Sequence, residues 1–262
     1  MWFYKHAAFS VLQLPVLSDN YIYLINEPVS GVLAAIDPAE FEPVAAWCKA
    51  HNRQLTHILN THHHWDHTGA NLELKAAFDC QIIGPAYDAG RIPGINIEAT
   101  EESPLQLGSL IIRVLFVPGH TLGHIAYIVD DAIFCGDTLF GAGCGRLFEG
   151  SPKQMWQSLN KILQLNDNKM FYCAHEYTVS NLMFSLEIDP DNADLQDRLH
   201  RANELRLKGK PTIPGTLAEE RATNPFLWPL NADFRKSYAM KHSLPDDPVS
   251  VFAHIRAAKD QW

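Results

Sequence analysis

Residues 58–71, ILNTHHHWDHTGAN, place four histidines and an aspartate directly after a short apolar run. The run has the composition of a buried strand. Alternate side chains of a strand point the same way, so His62 and His64 share one direction, while His63 and Trp65 face elsewhere as spacers or wall. Because neutral imidazole is the commonest metal ligand among side chains, the segment predicts a metal site rather than a solvated loop.

Asp66 and His67 follow in the same loop and can turn toward the same point. Three later segments, VPGHTLGH, FCGDT and YCAHEYT, add His120, Asp137 and His175, each directly after a predicted strand. Taken singly, each is more often a cap or a hydrogen-bonded core residue. Because all three follow the carboxyl ends of predicted strands, where α/β proteins form their binding sites, a shared functional site is favoured over three separate structural roles. Seven candidate ligands exceed the three or four that one zinc ion accepts, so two metal ions sharing a carboxylate is the economical arrangement.

Composition narrows the class of protein. Apolar residues are 47% and charged residues 19% of the 262, which argues against disorder. The five cysteines form no CxxC pair, so neither a disulfide framework nor a cysteine zinc site is expected. A net charge of −9 disfavours a nucleic-acid partner. With no apolar run near the roughly 20 residues of a membrane span and no signal-peptide pattern, we expect a cytoplasmic enzyme without a membrane partner. A monomer is also expected.

Short apolar runs alternate with helical patterns over the first two thirds of the chain. Runs that read as strands are GVLAAID, THILNT, CQIIGP, SLIIRVLFVPG and KMFYCAH, with IAYIV and AIFCGD as a hairpin. A helix is predicted over 151–165, with Ser151 as its N-cap. After about residue 178 the strand patterns stop, and helices are expected to end at Gly209 and to begin near Asp247. This order predicts helices layered over sheets, followed by a helical appendage.

The ligand segments carry a family resemblance. THHHWDH resembles the THxHxDH motif of the metallo-β-lactamase superfamily, and PGHT, GDT and a later histidine follow in the family's order. The resemblance is closer to glyoxalase II, the hydroxyacylglutathione hydrolases, and runs from about residue 12 to the end. The further segments that carry it are SDNYIYLI, FCGDTLFGAGCGRLFEG, CAHEYTVSNLMFS, TNPFL and RAAKDQW.

The resemblance implies a fold and a metal centre. The fold class would be α/β, a four-layer αβ/βα sandwich, with a catalytic domain over residues 1–177 and an α-helical glutathione-binding domain over 178–262. Two divalent metal ions are implied, with zinc as first choice and iron or manganese as alternatives. One ion would be held by His62, His64 and His120, the other by Asp66, His67 and His175, with Asp137 as the bridge.

The implied reaction is hydrolysis of S-D-lactoylglutathione, and of related 2-hydroxyacyl glutathione thioesters, to D-lactate and glutathione. A hydroxide held by the two metals would attack the thioester carbonyl, with Asp66 orienting it and Asp137 setting the metal spacing. A thiol has a pKa of only about 8.5, so the leaving thiolate needs no general acid. Asp37, after the GVLAAI run, is expected either to orient a ligand histidine or to cap its strand.

Glutathione carboxylates require cations despite the acidic net charge. The resemblance implies that Arg146, Arg256 and Lys259 bind them. Arg256 and Lys259 are three residues apart on a predicted helix and are therefore neighbours. Without the family match, the pair would equally indicate a solvent-exposed helix face. Tyr177 matches a tyrosine that contacts glutathione. Phe148 stands where some members have a second tyrosine and cannot donate a hydrogen bond, so weaker binding is expected.

Other interpretations fit the sequence less well, because the complete ligand set favours hydrolysis. Gly141, Gly143 and Gly145 could form a phosphate cradle, but without a Walker lysine they indicate a tight loop. A persulfide dioxygenase would use one iron with fewer ligands and would lack the long helical C-terminus. A lactonase or β-lactamase would share the metal ligands without needing Arg256 and Lys259. A purely structural metal site would be closed and usually rich in cysteine.

Overall fold

The computed structural model describes all residues, 1–262. The chain forms two compact units: Met1–Phe116 with Gly123–Gly136, and Val117–Leu122 with Asp137–Trp262. No helix combines the length and the hydropathy needed to cross a bilayer.

A seven-stranded mixed sheet forms most of the first unit. Its strands pair in chain order: β1 (Trp2–Lys5), β2 (Ser10–Val16), β3 (Asn20–Asn26), β4 (Leu33–Ile36), β5 (His57–Leu59), β6 (Gln81–Pro85) and β7 (Ile97–Ala99). The pairs from β1 to β4 are antiparallel, and those from β4 to β7 are parallel. The carboxyl ends of β4, β5 and β6 therefore meet at one edge of the sheet.

Helices of the first unit connect the parallel strands. They are α1 (Phe41–Ala50), α2 (Trp65–Thr68), α3 (Asn71–Phe78) and a 3₁₀ helix (Ala86–Arg91). Val44 and Cys48 of α1 and Leu74 of α3 are buried in one apolar cluster with Ile58 and Ile82 of the strands. Strands of a parallel sheet that are covered in this way read as continuous apolar runs, which is why β4, β5 and β6 were predictable from the sequence.

Four more strands of the first unit form an antiparallel meander. They are β8 (Leu105–Leu107), β9 (Leu110–Phe116), β10 (Ile125–Val129) and β11 (Ala132–Gly136). The predicted hairpin is confirmed: Val129 pairs with Ala132, and Asp130 adopts a φ of 51° in the two-residue turn.

The second unit is mainly helical. Its elements are β12 (Leu139–Phe140), β13 (Gly143–Cys144), α4 (Pro152–Leu163), β14 (Met170–Cys173), α5 (Thr178–Ile188), α6 (Ala193–Leu207), β15 (Gly215–Thr216), α7 (Leu217–Thr223), a 3₁₀ helix (Trp228–Leu230), α8 (Ala232–His242) and α9 (Pro248–Gln261).

The predicted helix ends of the second unit are confirmed. The Ser151 side chain accepts from the Gln154 amide, and the Gln154 side chain accepts from the Ser151 amide, which is a complete capping box for α4. Asp247 caps α9 through the Ser250 amide. Gly209, beyond α6, has a φ of 65°. The expectation that strands stop after residue 178 is wrong for β15, whose two residues pair with Met170 and Phe171 of β14.

Candidate metal centre

The histidine-rich loop begins where β5 ends, and backbone partners hold its entrance. The Tyr127 hydroxyl, buried in β10, donates to the Asn60 carbonyl at 2.8 Å. The Ile125 amide donates to the Thr61 carbonyl at 2.9 Å. These carbonyls and the tyrosine are buried, and a buried polar group without a hydrogen bond is energetically unfavourable. Each bond therefore stabilises this arrangement of the backbone. The loop therefore leaves the sheet in a defined direction.

His62 and His64 point toward each other, as the strand periodicity predicts. Their facing atoms, Nε2 of His62 and Nδ1 of His64, are 3.0 Å apart. The Thr61 hydroxyl has one proton, which it donates to Asp37 at 2.7 Å. That hydroxyl must therefore accept from Nδ1 of His62, 3.1 Å away. This tautomer gives Nε2 of His62 a lone pair, the form in which imidazole binds a metal ion.

Asp37 is the buried carboxylate behind the loop. It follows β4 with a φ of 48° and is 3% exposed. One oxygen accepts from the Thr61 amide at 2.7 Å, and the other, besides the Thr61 hydroxyl, lies 3.1 Å from Nδ1 of His67. The predicted contact between Asp37 and a candidate ligand histidine is confirmed. A carboxylate at Nδ1 orients the ring and directs Nε2 of His67 away from Asp37.

Asp66 lies beside His67 and has a partner that sequence reasoning missed. Its Oδ2 is 3.5 Å from Nε2 of His67. The Asn20 amide group donates to the same oxygen at 3.1 Å and to the Asp66 carbonyl at 3.3 Å. Asn20 is the first residue of β3, in the SDNYIYLI segment that carries part of the family resemblance. That segment was the only sequence signal that could have identified Asn20.

His63 and Trp65 point away from this cluster, as expected. His63 Nδ1 lies 2.9 Å from Oδ2 of Asp88, and its Nε2 lies 3.1 Å from Arg91. Trp65 is 71% exposed.

A second neighbour of the candidate ligands that the sequence did not indicate is His124. Its buried ring stacks on His62 with centroids 4.6 Å apart.

In the second unit, Asp137 lies between two histidines. Oδ2 of Asp137 is 3.3 Å from Nε2 of His120, and Oδ1 is 3.4 Å from Nε2 of His175. His120 Nδ1 donates to the Arg146 carbonyl at 2.8 Å, which places a lone pair on Nε2 of a neutral ring. A lone pair facing a carboxylate oxygen at this distance is repulsive unless a cation or proton lies between them. The chemistry of this donor set therefore suits divalent cations.

Aromatic side chains cover the same histidines. The Tyr177 ring stacks on His175 with centroids 4.8 Å apart. Phe148 packs edge-on against His120 at 5.2 Å. Tyr177 is 37% exposed and Phe148 60%. Both predicted substrate contacts therefore lie beside candidate metal ligands and remain accessible.

The three predicted cations of the second unit differ in environment. Arg256 is buried, donates from Nη1 to the Cys144 carbonyl at 2.9 Å, and bonds Asp260 at 3.1 Å. Arg146 is exposed, with its Nε 3.6 Å from the same carboxylate. The Lys259 ammonium lies over the ring of Trp262, at 3.9 Å from its centroid. Burial, with a contribution from Arg256, lowers the pKa of Lys259 to about 8.

Two family models match adjoining parts of the chain. The model of the metallo-beta-lactamase superfamily matches residues 36–175, and that of the hydroxyacylglutathione hydrolase C-terminus matches residues 176–262. A hydroxyacylglutathione hydrolase of Methylococcus capsulatus is 51% identical over 95% of this chain and 97% of its own length. One from Rhodospirillum rubrum is 50% identical, with the same 95% and 97% coverage.

Solved structures show the same fold. ETHE1 from Myxococcus xanthus has a TM-score of 0.66 at 24% identity, covering 94% of this chain and 98% of its own. TTHA1623, solved in a di-iron-bound form, has a TM-score of 0.51 at 27% identity, covering 63% and 91%. These similarities confirm the expected α/β layered fold of the metallo-β-lactamase type with a helical C-terminal region.

Asp37→Asn should weaken metal binding, because an amide keeps the shape of the carboxylate but loses its charge and one acceptor. Loss of such an outer partner typically lowers metal affinity about 10- to 100-fold. Competition for zinc against a chromogenic chelator measures the change. Asp131→Asn is the matched control. It makes the same chemical change at an exposed carboxylate whose ion-pair partner is His6, which is not a candidate metal ligand. Equal zinc affinity in Asp37→Asn and the wild-type protein would contradict the orienting role.

Proposed function

Because the chain belongs to the metallo-beta-lactamase superfamily and, within it, to the hydroxyacylglutathione hydrolases, we propose that it hydrolyses S-D-lactoylglutathione to D-lactate and glutathione. This reaction is the second step of methylglyoxal detoxification by the glyoxalase pathway. Similarity over nearly the full length to enzymes of that name supports the assignment. Related 2-hydroxyacyl glutathione thioesters are proposed as further substrates.

The donor atoms of both units suit two divalent metal ions, for which zinc is our first proposal. A structurally similar protein is known in a di-iron form, so iron is the alternative, with manganese third, since mixed imidazole and carboxylate sites accept all three. We assign His62, His64 and His120 to one ion, Asp66, His67 and His175 to the other, and Asp137 to both.

Such cations would supply hydroxide near neutral pH and polarise the thioester carbonyl, because cation binding lowers the pKa of water from about 15.7 to about 7. The side chains have separate tasks. Asp37 holds the ring of His67, and Asn20 holds Asp66. Asp66, whose carboxylate Asn20 fixes, would orient the nucleophile toward the carbonyl carbon. Departure of the glutathione thiolate needs no acid, because a thiol has a pKa of only about 8.5.

Glutathione is proposed to bind to side chains of the second unit. Arg146 is exposed and can form a charge-assisted bond with a carboxylate. Arg256 is 6% exposed and already bonded to the Cys144 carbonyl and to Asp260, so only the small surface that remains could contact glutathione. Tyr177 offers a hydroxyl beside His175, and Lys259 adds a cation. The two family models meet between residues 175 and 176, which supports a catalytic domain over 1–177 and a glutathione-binding domain over 178–262.

His62→Ala tests the proposed reaction. Removing an outer partner of a metal ligand already costs about 10- to 100-fold in metal affinity or activity, so loss of a ligand should lower kcat/KM by at least about a hundredfold. The assay follows thioester absorbance of S-D-lactoylglutathione together with metal content per chain, and circular dichroism reports folding. His51→Ala, at the exposed end of α1, is the control. Full activity of folded His62→Ala, or of chelated wild-type protein, would refute metal-dependent hydrolysis.

Phe148→Tyr should strengthen glutathione binding. Phe148 is exposed beside His120, and a tyrosine there could donate a hydrogen bond that phenylalanine lacks. One added hydrogen bond is worth about 1 kcal/mol, or roughly a fivefold lower Kd. Calorimetric titration with S-methylglutathione measures it. Equal affinities of the two proteins would dismiss a role for position 148.

The pH dependence of KM should show whether the charge of Lys259 contributes to substrate binding. Its pKa of about 8 means that the ammonium is present below pH 8 and is lost above it. KM for S-D-lactoylglutathione should therefore be nearly constant from pH 6 to 7 and rise as pH increases through about 8. Lys259→Arg keeps its charge in this range, so its KM should not rise at that pH. Identical pH profiles for wild-type and Lys259→Arg protein would show that the lysine charge does not bind substrate.

A further inference from the structure

The turn between β12 and β13 is fully buried and links two candidate functional residues. Leu139 pairs with Cys144 and Phe140 with Gly143, which leaves Gly141 and Ala142 as the turn. Ala142 has a φ of 53° and no exposed surface. We call residues 140–144 the anchored turn. Asp137 precedes it and Arg146 follows it in the chain.

The anchored turn packs too tightly for side chains at its glycines. A Cβ on Gly141 would lie 2.2 Å from the Thr178 hydroxyl, and one on Gly143 would lie 2.3 Å from the Asn181 amide group. At Gly145, directly after the turn, a Cβ would lie 2.0 Å from the Asp137 carbonyl oxygen. A side chain at position 145 would therefore not fit unless the backbone of Asp137 moved. These contacts agree with the tight loop expected from the sequence.

Buried polar side chains hold the backbone of the anchored turn. Glu220 accepts from the Ala142 amide at 2.8 Å. Asn224 donates to the Gly143 carbonyl at 2.9 Å and to the Phe140 carbonyl at 3.5 Å. It also donates to the Glu220 carboxylate at 2.9 Å, which joins the two side chains into one group. Glu220 and Asn224 are both fully buried.

Other helices of the same unit complete this arrangement. Arg198 of α6 forms a buried ion pair with Glu220, and Asn181 of α5 donates to the Gly141 carbonyl at 3.0 Å. Arg256 of α9 donates to the Cys144 carbonyl at 2.9 Å. Four of the five carbonyls of the anchored turn, and its Ala142 amide, are thus bonded to side chains of α5, of α7 with its C-cap residue Asn224, and of α9. Helix α6 supports Glu220 through Arg198.

We propose that Asn224 and Glu220 are positioning residues for the glutathione site, which they set by fixing the anchored turn and, through it, Arg146 and the Cys144 carbonyl that orients Arg256. This inference rests on the proposed function. A buried ion pair such as Arg198 with Glu220 is weak as a source of stability, because desolvation offsets the attraction between the charges. Its geometry instead selects one backbone conformation, because buried polar groups must all be paired.

The test uses the metal-loaded full chain with Asn224→Ala. The substitution removes three donated hydrogen bonds and the one that the Asn224 side-chain oxygen accepts from the Phe226 amide. We therefore expect KM for S-D-lactoylglutathione and Kd for S-methylglutathione to rise about tenfold. The metal content and kcat should stay within about twofold, because Asn224 contacts no proposed metal ligand and the Phe148 and Glu149 amides also hold the His120 backbone. Hydrogen exchange at the Ala142 amide should become faster. Asn224→Ser, which keeps one donor, should give an intermediate KM and is the variant to use if Asn224→Ala does not fold.

Asn231→Ala is the control, since Asn231 caps α8 through the amides of Asp233 and Phe234 and makes no bond to the turn. It should lower Tm without changing KM. An unchanged KM in folded Asn224→Ala, or an equal loss of kcat, metal and substrate affinity, would overturn the positioning role. Failure of wild-type protein to hydrolyse the thioester would refute the proposed function. Amide exchange at Ala142 and the comparison of Kd values for S-methylglutathione would still test whether Asn224 positions the anchored turn.

Discussion

One buried carboxylate sets the orientation of the histidine-rich loop. Asp37 ends β4, and the loop begins at the end of β5, its parallel neighbour. Parallel pairing brings these two carboxyl ends to the same edge. From there Asp37 binds His67 directly and reaches His62 through the Thr61 hydroxyl. Two imidazoles thus take their tautomers from a single acid, and without it the lone pairs that suit metal binding would have no fixed direction.

In the second unit, hydrogen bonds between side chains and backbone groups have the same orienting effect. His120 is oriented by the Arg146 carbonyl, and the turn before Arg146 is held by Glu220 and Asn224. The bonds of Glu220 and Asn224 are buried, where an unpaired polar group is costly, and that of His120 is partly buried. The interactions therefore contribute specificity of conformation more than stability.

Local signals in the sequence predicted the elements that depend on local physics. Capping residues located α4 and α9, and buried apolar runs located β4, β5 and β6. The bonds of Asn20 to Asp66 and of Arg198 to Glu220 join residues 46 and 22 positions apart. No periodicity or cap encodes such pairs, because they exist only once the tertiary fold has formed. The two-residue strand β15 was missed for the same reason.

We propose that seven named side chains bind two cations. Anomalous diffraction from crystals grown with zinc tests it most directly. We predict two peaks, one bonded to His62, His64 and His120, the other to Asp66, His67 and His175, with Asp137 touching both. A single peak, or none at these side chains, would contradict the account.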